Sequence, residues 1–425
     1  MQFRSLPRLA ALLAGAALLA PAQDVKASVI FDLWYTQMMD SNLRLNSTAG
    51  GYYPLRADFQ ENGFSIRRSE IYLSGSITKE LTFLVMFDPK DRTDNQAPTW
   101  GATRLPNLLY DAIMTWKFAP GWEVKMGRTK APTGYEASLQ GSHQLYFYDR
   151  SILGRQFNDR RDQGAWIAYS GGDAKGFTYK PTLMLSNGSS DYDFGRGNDL
   201  NAQKDVTFRL EMGYGASHKF GAYYRDGVTD QADKGALRGA TTWGGMTTPV
   251  PAAADVLSNK DKTNTMGAYY FFDSPKWRVG GEVTTGTLGR RYPSVQNTTA
   301  AFAAKREHLD QKFMGYYFDF VYKMGAHQLL LRYDFANYNS GDQWYGPYNP
   351  YKQNVTTGAS TGNDYSPKFT EIVLGYNYLL KPSNFTHQSI KFNYILRSKN
   401  FLQPRAGQTG EQGGDSLVVA YQIGF

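Results

Sequence analysis

Residues 416–425 read Ser416-Leu417-Val418-Val419-Ala420-Tyr421-Gln422-Ile423-Gly424-Phe425, and this stretch decides the fold. Leu417, Val419, Tyr421, Ile423 and Phe425 share one parity, while Ser416, Ala420, Gln422 and Gly424 share the other. Alternation with period two over this length is a β-strand with two unlike faces. Large apolar side chains opposite small and polar ones suit a strand standing between lipid and a wet interior.

The pattern recurs upstream. Ile390, Phe392, Tyr394 and Leu396 alternate with Lys391, Asn393, Ile395 and Arg397; Ile372, Leu374, Tyr376 and Tyr378 alternate with Glu371, Val373, Gly375 and Asn377. Leu329, Leu331, Tyr333 and Phe335 alternate with Leu330, Arg332 and Asp334, and Trp277, Val279 and Val283 with Arg278, Gly280 and Glu282. Tight links (Ala119-Pro120-Gly121, residues 171–176, Asp273-Ser274-Pro275, Met324-Gly325-Ala326) interleave with long polar stretches near 38–62, 89–106, 131–160, 188–204, 228–262, 288–308, 338–366 and 399–414. Short turns on one rim and long loops on the other are the asymmetry of an outer-membrane barrel. Counting strands between the links predicts an all-β, antiparallel transmembrane barrel of about sixteen strands, an even number that brings both chain ends to one rim. The face assignment is least determined at residues 64–77, where a slip of one residue exchanges lumen and lipid.

Composition agrees. Tyr 30, Phe 25, Trp 8 and Gly 43 in 425 residues suit interface girdles, strand faces and tight turns. Beyond the N-terminus no apolar run reaches the roughly 18 residues of a membrane helix. The absence of cysteine excludes disulfides and thiolate metal sites. At the N-terminus, Arg4 and Arg8 precede an apolar run over residues 9–20 and the small-x-small site Ala20-Pro21-Ala22, which reads as a secretory signal peptide, residues 1–22. The expected mature domain is a single barrel, 23–425. Losing Arg4 and Arg8 takes the net charge from +8 to +6.

Signals for chemistry are weak. Gly358-Ala359-Ser360-Thr361-Gly362 has the serine-hydrolase spacing but lies in a Thr/Gly/Ser-rich loop, without the strand-to-helix elbow that exposes such a serine. His143, His218, His308, His327 and His387 are scattered, with no H-E-x-x-H spacing, and Ser142-His143 are merely adjacent. Asp191, Asp193 and Asp199 depart from the calcium-loop spacing. No enzyme activity, metal or cofactor is expected. The alternative is a barrel enzyme of phospholipase or esterase type, which would need a serine, a histidine and an amide or carboxylate meeting on the lipid face.

The segment Phe64-Ser65-Ile66-Arg67-Arg68 followed by Ile71-Tyr72-Leu73-Ser74-Gly75 resembles an early strand of the phosphate-selective porins O and P. So does Asp111-Ala112-Ile113-Met114-Thr115-Trp116-Lys117-Phe118 leading into Val124-Lys125-Met126-Gly127-Arg128-Thr129-Lys130-Ala131-Pro132-Thr133-Gly134-Tyr135-Glu136, with Asp149-Arg150-Ser151 and Arg161-Asp162-Gln163-Gly164 after it. The resemblance implies a sixteen-stranded barrel, usually a homotrimer, whose loop after the fifth strand folds inward to narrow the pore; here that loop is 131–160. Well-known members carry an N-terminal extension and a dense arginine ladder. This sequence enters its first strand almost at once, a departure that weakens the inference to phosphate.

A pore selects by its diameter and by the charge at its narrowest point. The expected inward cations on strands are Lys117, Lys125, Arg278, Arg332, Lys391 and Arg397. The inner loop and its flanks add Arg128, Lys130, Arg150, Arg155, Arg160 and Arg161, against the counter-charges Glu136, Asp149, Asp159 and Asp162, six cations to four anions. Two uses compete: arginine forks that pass oxyanions, or ion pairs that hold the loop against the wall. The resulting expectation is a passive outer-membrane channel with a moderate anion preference, phosphate-like oxyanions foremost; a non-selective or sugar-conducting porin and an adhesin or structural barrel are the other readings. Expected partners are small anionic solutes, outer-membrane lipid and lipopolysaccharide, and the barrel assembly machinery, for which terminal Phe425 resembles the signal. Basic residues recurring singly along strands argue against nucleic acid. Trp116, Trp122, Trp277, Tyr421 and Phe425 are expected in interface girdles, and the aromatic loop 344–351 packs on itself or binds a sugar or partner.

Overall fold

The computed structural model describes residues 25–39, 43–45, 62–89, 109–188, 204–228, 242–243, 246–247, 262–293, 308–337, 340, 368–381, 388–398, 402–404 and 415–424. The leader 1–22, Phe425, His387, Asp191, Asp193, Asp199, the 344–351 loop and the 358–362 motif lie outside them.

Sixteen strands form one closed antiparallel barrel. They are β1 (Lys26–Met38), β2 (Gly63–Ser76), β3 (Leu81–Phe87), β4 (Leu109–Ala119), β5 (Trp122–Lys130), β6 (Arg161–Tyr169, continued by Gly171–Gly172), β7 (Phe177–Ser186) and β8 (Asp205–Tyr214). The second half comprises β9 (His218–Val228), β10 (Lys262–Asp273), β11 (Trp277–Pro293), β12 (His308–Met324), β13 (His327–Asn337), β14 (Lys368–Leu379), β15 (Gln388–Arg397) and β16 (Ser416–Gly424). Each strand pairs with its neighbours in the chain, and β16 closes on β1 from Ile30↔Gly424 to Met38↔Ser416. Closure removes the unpaired strand edges that lipid cannot solvate.

The alternation read from the sequence sorts side chains by face. In β13, Gln328, Leu330, Arg332 and Asp334 are buried inside, while Leu329, Leu331 and Tyr333 are exposed outside. Near the tight turns the outer face carries an aromatic girdle: Trp116, Phe118, Trp122 and Tyr169 follow one another at centroid spacings of 5.6, 6.2 and 5.0 Å, and Trp277 stacks on Tyr322 at 4.2 Å. Amphipathic rings favour this level of a bilayer.

Two irregularities break the alternation. Opposite β1 the register jumps from Asp32↔Arg68 to Leu33↔Ile66, leaving Arg67 as a bulge residue, so Arg67 and Arg68 both point inward. This resolves the face ambiguity of residues 64–77. In β5, Gly127 adopts φ 131°, and a Cβ there would stand 2.1 Å from the Ala112 carbonyl oxygen. Only glycine fits this backbone.

Residues 131–160, between β5 and β6, carry a helical turn α1 (Tyr135–Ser138), a 3-10 turn (Ser142–Gln144) and a π-turn (Gly154–Asn158). This segment packs inside the barrel. Its Tyr135, Phe147, Tyr148, Ile152, Leu153 and Phe157 form one apolar cluster with Trp34 of β1, Phe271 of β10, Phe313 and Val321 of β12, Phe369 and Val373 of β14, and Val418 of β16. Phe157 lies flat on Phe313 at 3.9 Å and Tyr135 on Phe271 at 4.3 Å. The larger apolar cluster is therefore the contact between the inner segment and the β10–β16 and β1 side of the wall, and a smaller one gathers Ile113, Ala131, Trp166 and Met184 on the other side.

Candidate functional site

The inner segment is keyed to that same wall by polar contacts. Its backbone amides donate to wall carboxylates, Tyr135 N to Glu282 at 3.0 Å and Ile152 N to Asp334 at 2.5 Å. Its carbonyls accept from wall side chains: Tyr146 O from Asn377 (2.9 Å), Leu145 O from Lys391 (2.5 Å) and His143 O from Gln422 (2.9 Å). Charged locks complete the seat. Arg332 holds Asp319 at 2.7 Å and Glu136 at 2.6 Å, its guanidinium lying over Phe147. Glu371 bridges Arg155 of the segment (2.7 Å) and Arg397 of the wall (2.9 Å). Asp149 receives Arg67 and Arg68 at 3.0 and 2.8 Å. Burial alone would disfavour the charged Arg155, and the Glu371 carboxylate reverses this, holding the guanidinium well above its usual range. Burial, then Glu371, pushes the Tyr148 hydroxyl upward, so it stays neutral while accepting from Arg155 at 3.1 Å.

On the opposite side, between the segment and β2–β8, lies a cavity of about 260 Å³. Its charged lining is Lys125 and Lys130 of β5, Arg161 of β6, Lys180 of β7 and Arg209 of β8, with Asp111 and Glu123 as the carboxylates. Thr129, Thr182, Ser138, Ser142 and Gln140 add neutral polar groups, and Tyr72, Met86, Trp166 and Ala168 an apolar part. Five cations face two carboxylates. Arg161 pairs with Asp111 at 3.0 Å, Lys180 with Glu123 at 2.8 Å, Arg209 with Glu211 at 2.6 Å, and Lys130 with Asp159 at 3.0 Å. Lys125 and Lys130, of opposite parity, both reach this cavity because the glycine backbone at Gly127 interrupts the alternation between them.

The residues expected from sequence thus divide. Lys125, Lys130 and Arg161 line the cavity. Arg332, Arg397 and Arg155 lie in the seat of the segment, as does Lys391. Arg150 pairs with Asp159 at 3.3 Å and donates to the Glu136 carbonyl, within the segment itself. Arg278 is buried over Phe271, Tyr146 and Tyr135 and pairs with Asp273 at 3.1 Å. Lys117 is exposed near the tight turn of β4, Arg128 is buried opposite Ala112 and Gln163, and Arg160 is half-buried where the segment rejoins β6. Of the counter-charges, Glu136, Asp149 and Asp159 serve the segment, and Asp162 accepts from the Gly188 amide at 2.8 Å.

Sequence reasoning missed Arg67, Arg68, Lys180 and Arg209. The two adjacent arginines needed the bulge. Lys180 was legible, since Thr178, Lys180, Thr182 and Met184 alternate with Tyr179, Leu183 and Leu185, but Pro181 obscured the strand. The outer-face histidines His218 and His327 hydrogen-bond Tyr270 and Tyr376 at 2.9 and 2.7 Å, while Ser142 donates to Glu70 at 2.7 Å inside the barrel. Among the described residues no three His, Asp or Glu side chains are grouped to hold a metal.

Comparison with known proteins gives a family. The phosphate-selective porins O and P match over residues 41–413. No curated protein matches the chain. Among solved structures, Pseudomonas putida OprB at high pH is similar at 10% identity and a TM-score of 0.52, over 99% of this chain and 97% of that one. Salmonella typhi OmpF in complex with daunomycin is similar at 13% identity and 0.51, over 95% and 97%. In-vitro folded OmpT of Vibrio cholerae, in trimer form, is similar at 9% identity and 0.50, over 95% and 100%. Likeness at such identities carries the fold alone. The family match spans most of the chain, and with the closed barrel, its outer girdle and its polar interior it has one reading: the chain belongs to the phosphate-selective porin O and P family, in the bacterial outer membrane.

Proposed function

We propose that this outer-membrane diffusion channel passes small solutes through the cavity between the inner segment and β2–β8, with a moderate preference for anions and phosphate-like oxyanions foremost. The observation that carries the reading is the lining of that cavity, five cations against two lining carboxylates; with Asp159 and Glu211, the partners of Lys130 and Arg209, counted as well, one positive charge remains in surplus. The seat of the segment is close to internally neutralised, so selectivity falls to the cavity side. A cationic lining raises the local anion concentration, and the pairing of each cation keeps any single site from trapping the solute. Solutes move down their gradient without a chemical step or cofactor. Phosphate as the preferred solute rests on the family alone, and so does assembly as a homotrimer. Contact with lipopolysaccharide, recognition by the barrel assembly machinery through Phe425, and removal of residues 1–22 on export belong to the same proposal.

Single-channel recording from purified protein in planar bilayers tests it. Discrete steps with an anion-favouring reversal potential in a potassium chloride gradient, and partial block by added phosphate, are expected. Steps with cation preference or none would keep the channel and remove the anion reading.

A further inference from the structure

Glu123 of β5 is shared by two lysines. Its Oε1 accepts from Lys180 Nζ at 2.8 Å and lies 3.4 Å from Lys125 Nζ. The register explains the meeting: Glu123 stands opposite Ala168 of β6, which stands opposite Thr182 of β7, two residues from Lys180. Side chains from β5 and β7 therefore reach each other across a single small alanine. The trio also differs from the locks of the inner segment. Lys125 and Lys180 side chains are 36% and 32% exposed, against 3% for Arg332 and 0% for Arg397. Lysine is a hydrated ammonium on a flexible stem, and an exposed lysine–carboxylate pair is weak. Two cations on one carboxylate leave one surplus positive charge facing the cavity.

We propose that Glu123 is a displaceable internal counter-ion that sets how tightly the channel holds a passing anion, an inference that rests on the anion reading above. In the empty channel the carboxylate satisfies both lysines. An arriving oxyanion accepts from Lys125 and Lys180 in its place, and Glu123 retakes them as the anion leaves. Being tethered, the carboxylate competes at high effective concentration. Such a competitor converts a two-lysine trap into a site weak enough to release its solute, as conduction requires.

The test is single-channel conductance of the full protein against phosphate concentration, for wild type, Glu123→Gln and Lys180→Gln. Glu123→Gln keeps the shape and removes the competitor. Its half-saturating phosphate concentration is expected to fall by at least about fivefold, the scale of one unit charge a few Å away in a wet lumen, and its saturated conductance to fall with it. Lys180→Gln is expected to raise half-saturation, leaving Glu123 to neutralise Lys125 alone. A wild-type channel without anion preference would remove the underlying reading. An anion-preferring wild type whose half-saturation does not move in Glu123→Gln would overturn this inference alone. Should Glu123→Gln fail to insert, an unmoved half-saturation in Lys180→Gln overturns it equally.

Discussion

Arg332 of β13 and Glu136 of the inner segment meet at 2.6 Å, while the same guanidinium holds Asp319 of β12 at 2.7 Å. One buried arginine thus ties a strand pair of the wall to the first turn of the segment. With Glu371 between Arg155 and Arg397, and Asp149 between Arg67 and Arg68, this makes the segment a fixed partition of the lumen. The arginines most conspicuous in the sequence are mostly spent on that partition.

Arg332→Gln removes one side of a buried network and strands two carboxylates, a change that costs about 3–5 kcal/mol. The folded barrel is expected to melt at a lower temperature, and open-channel current to become noisier and larger as the segment loosens. Gel mobility after heating and bilayer recording together check this; a quiet wild-type current would show that the apolar cluster seats the segment without Arg332.

Reversing Lys125 and Lys180 changes the cavity count from five cations and two carboxylates to three and four. The double variant Lys125→Glu/Lys180→Glu is expected to invert the sign of the reversal potential in a potassium chloride gradient. The corresponding reversal of Lys117, which does not line the cavity, is expected to leave the sign unchanged.

Gly127→Ala places a Cβ against the Ala112 carbonyl in a backbone region open essentially to glycine alone. The strain alone is about 1–3 kcal/mol, before the clash. A lowered unfolding temperature of the purified barrel is the expected result. An unchanged one would mean that β4 and β5 rearrange at no cost.

The anion preference should depend on salt. The cavity charges act on a solute over distances comparable to the Debye length, about 10 Å at 0.1 M and about 3 Å at 1 M. Reversal potentials at a fixed concentration ratio are expected to show a preference that weakens as both concentrations rise. A preference constant over that range would point to size or direct binding instead of the field.

What the sequence determined by itself was the barrel. Alternation is local, because successive side chains of a strand must face opposite ways. Leu417, Val419, Tyr421 and Ile423 could therefore be assigned to lipid, and Arg332, Lys391 and Arg397 to the interior, without knowing any partner strand. The same local rule failed where the backbone departs from it, at the Arg67 bulge and at Gly127. Only the tertiary structure decided which inward cations meet the cavity. Arg332 finds Glu136 across 196 residues, and Arg155 finds Glu371 across 216. Whether an inward arginine is neutralised depends on how far the inner segment leans toward one wall. That lean follows from the aromatic packing of Phe157 on Phe313 and Tyr135 on Phe271, side chains whose strand-wise spacing carries no record of the contact.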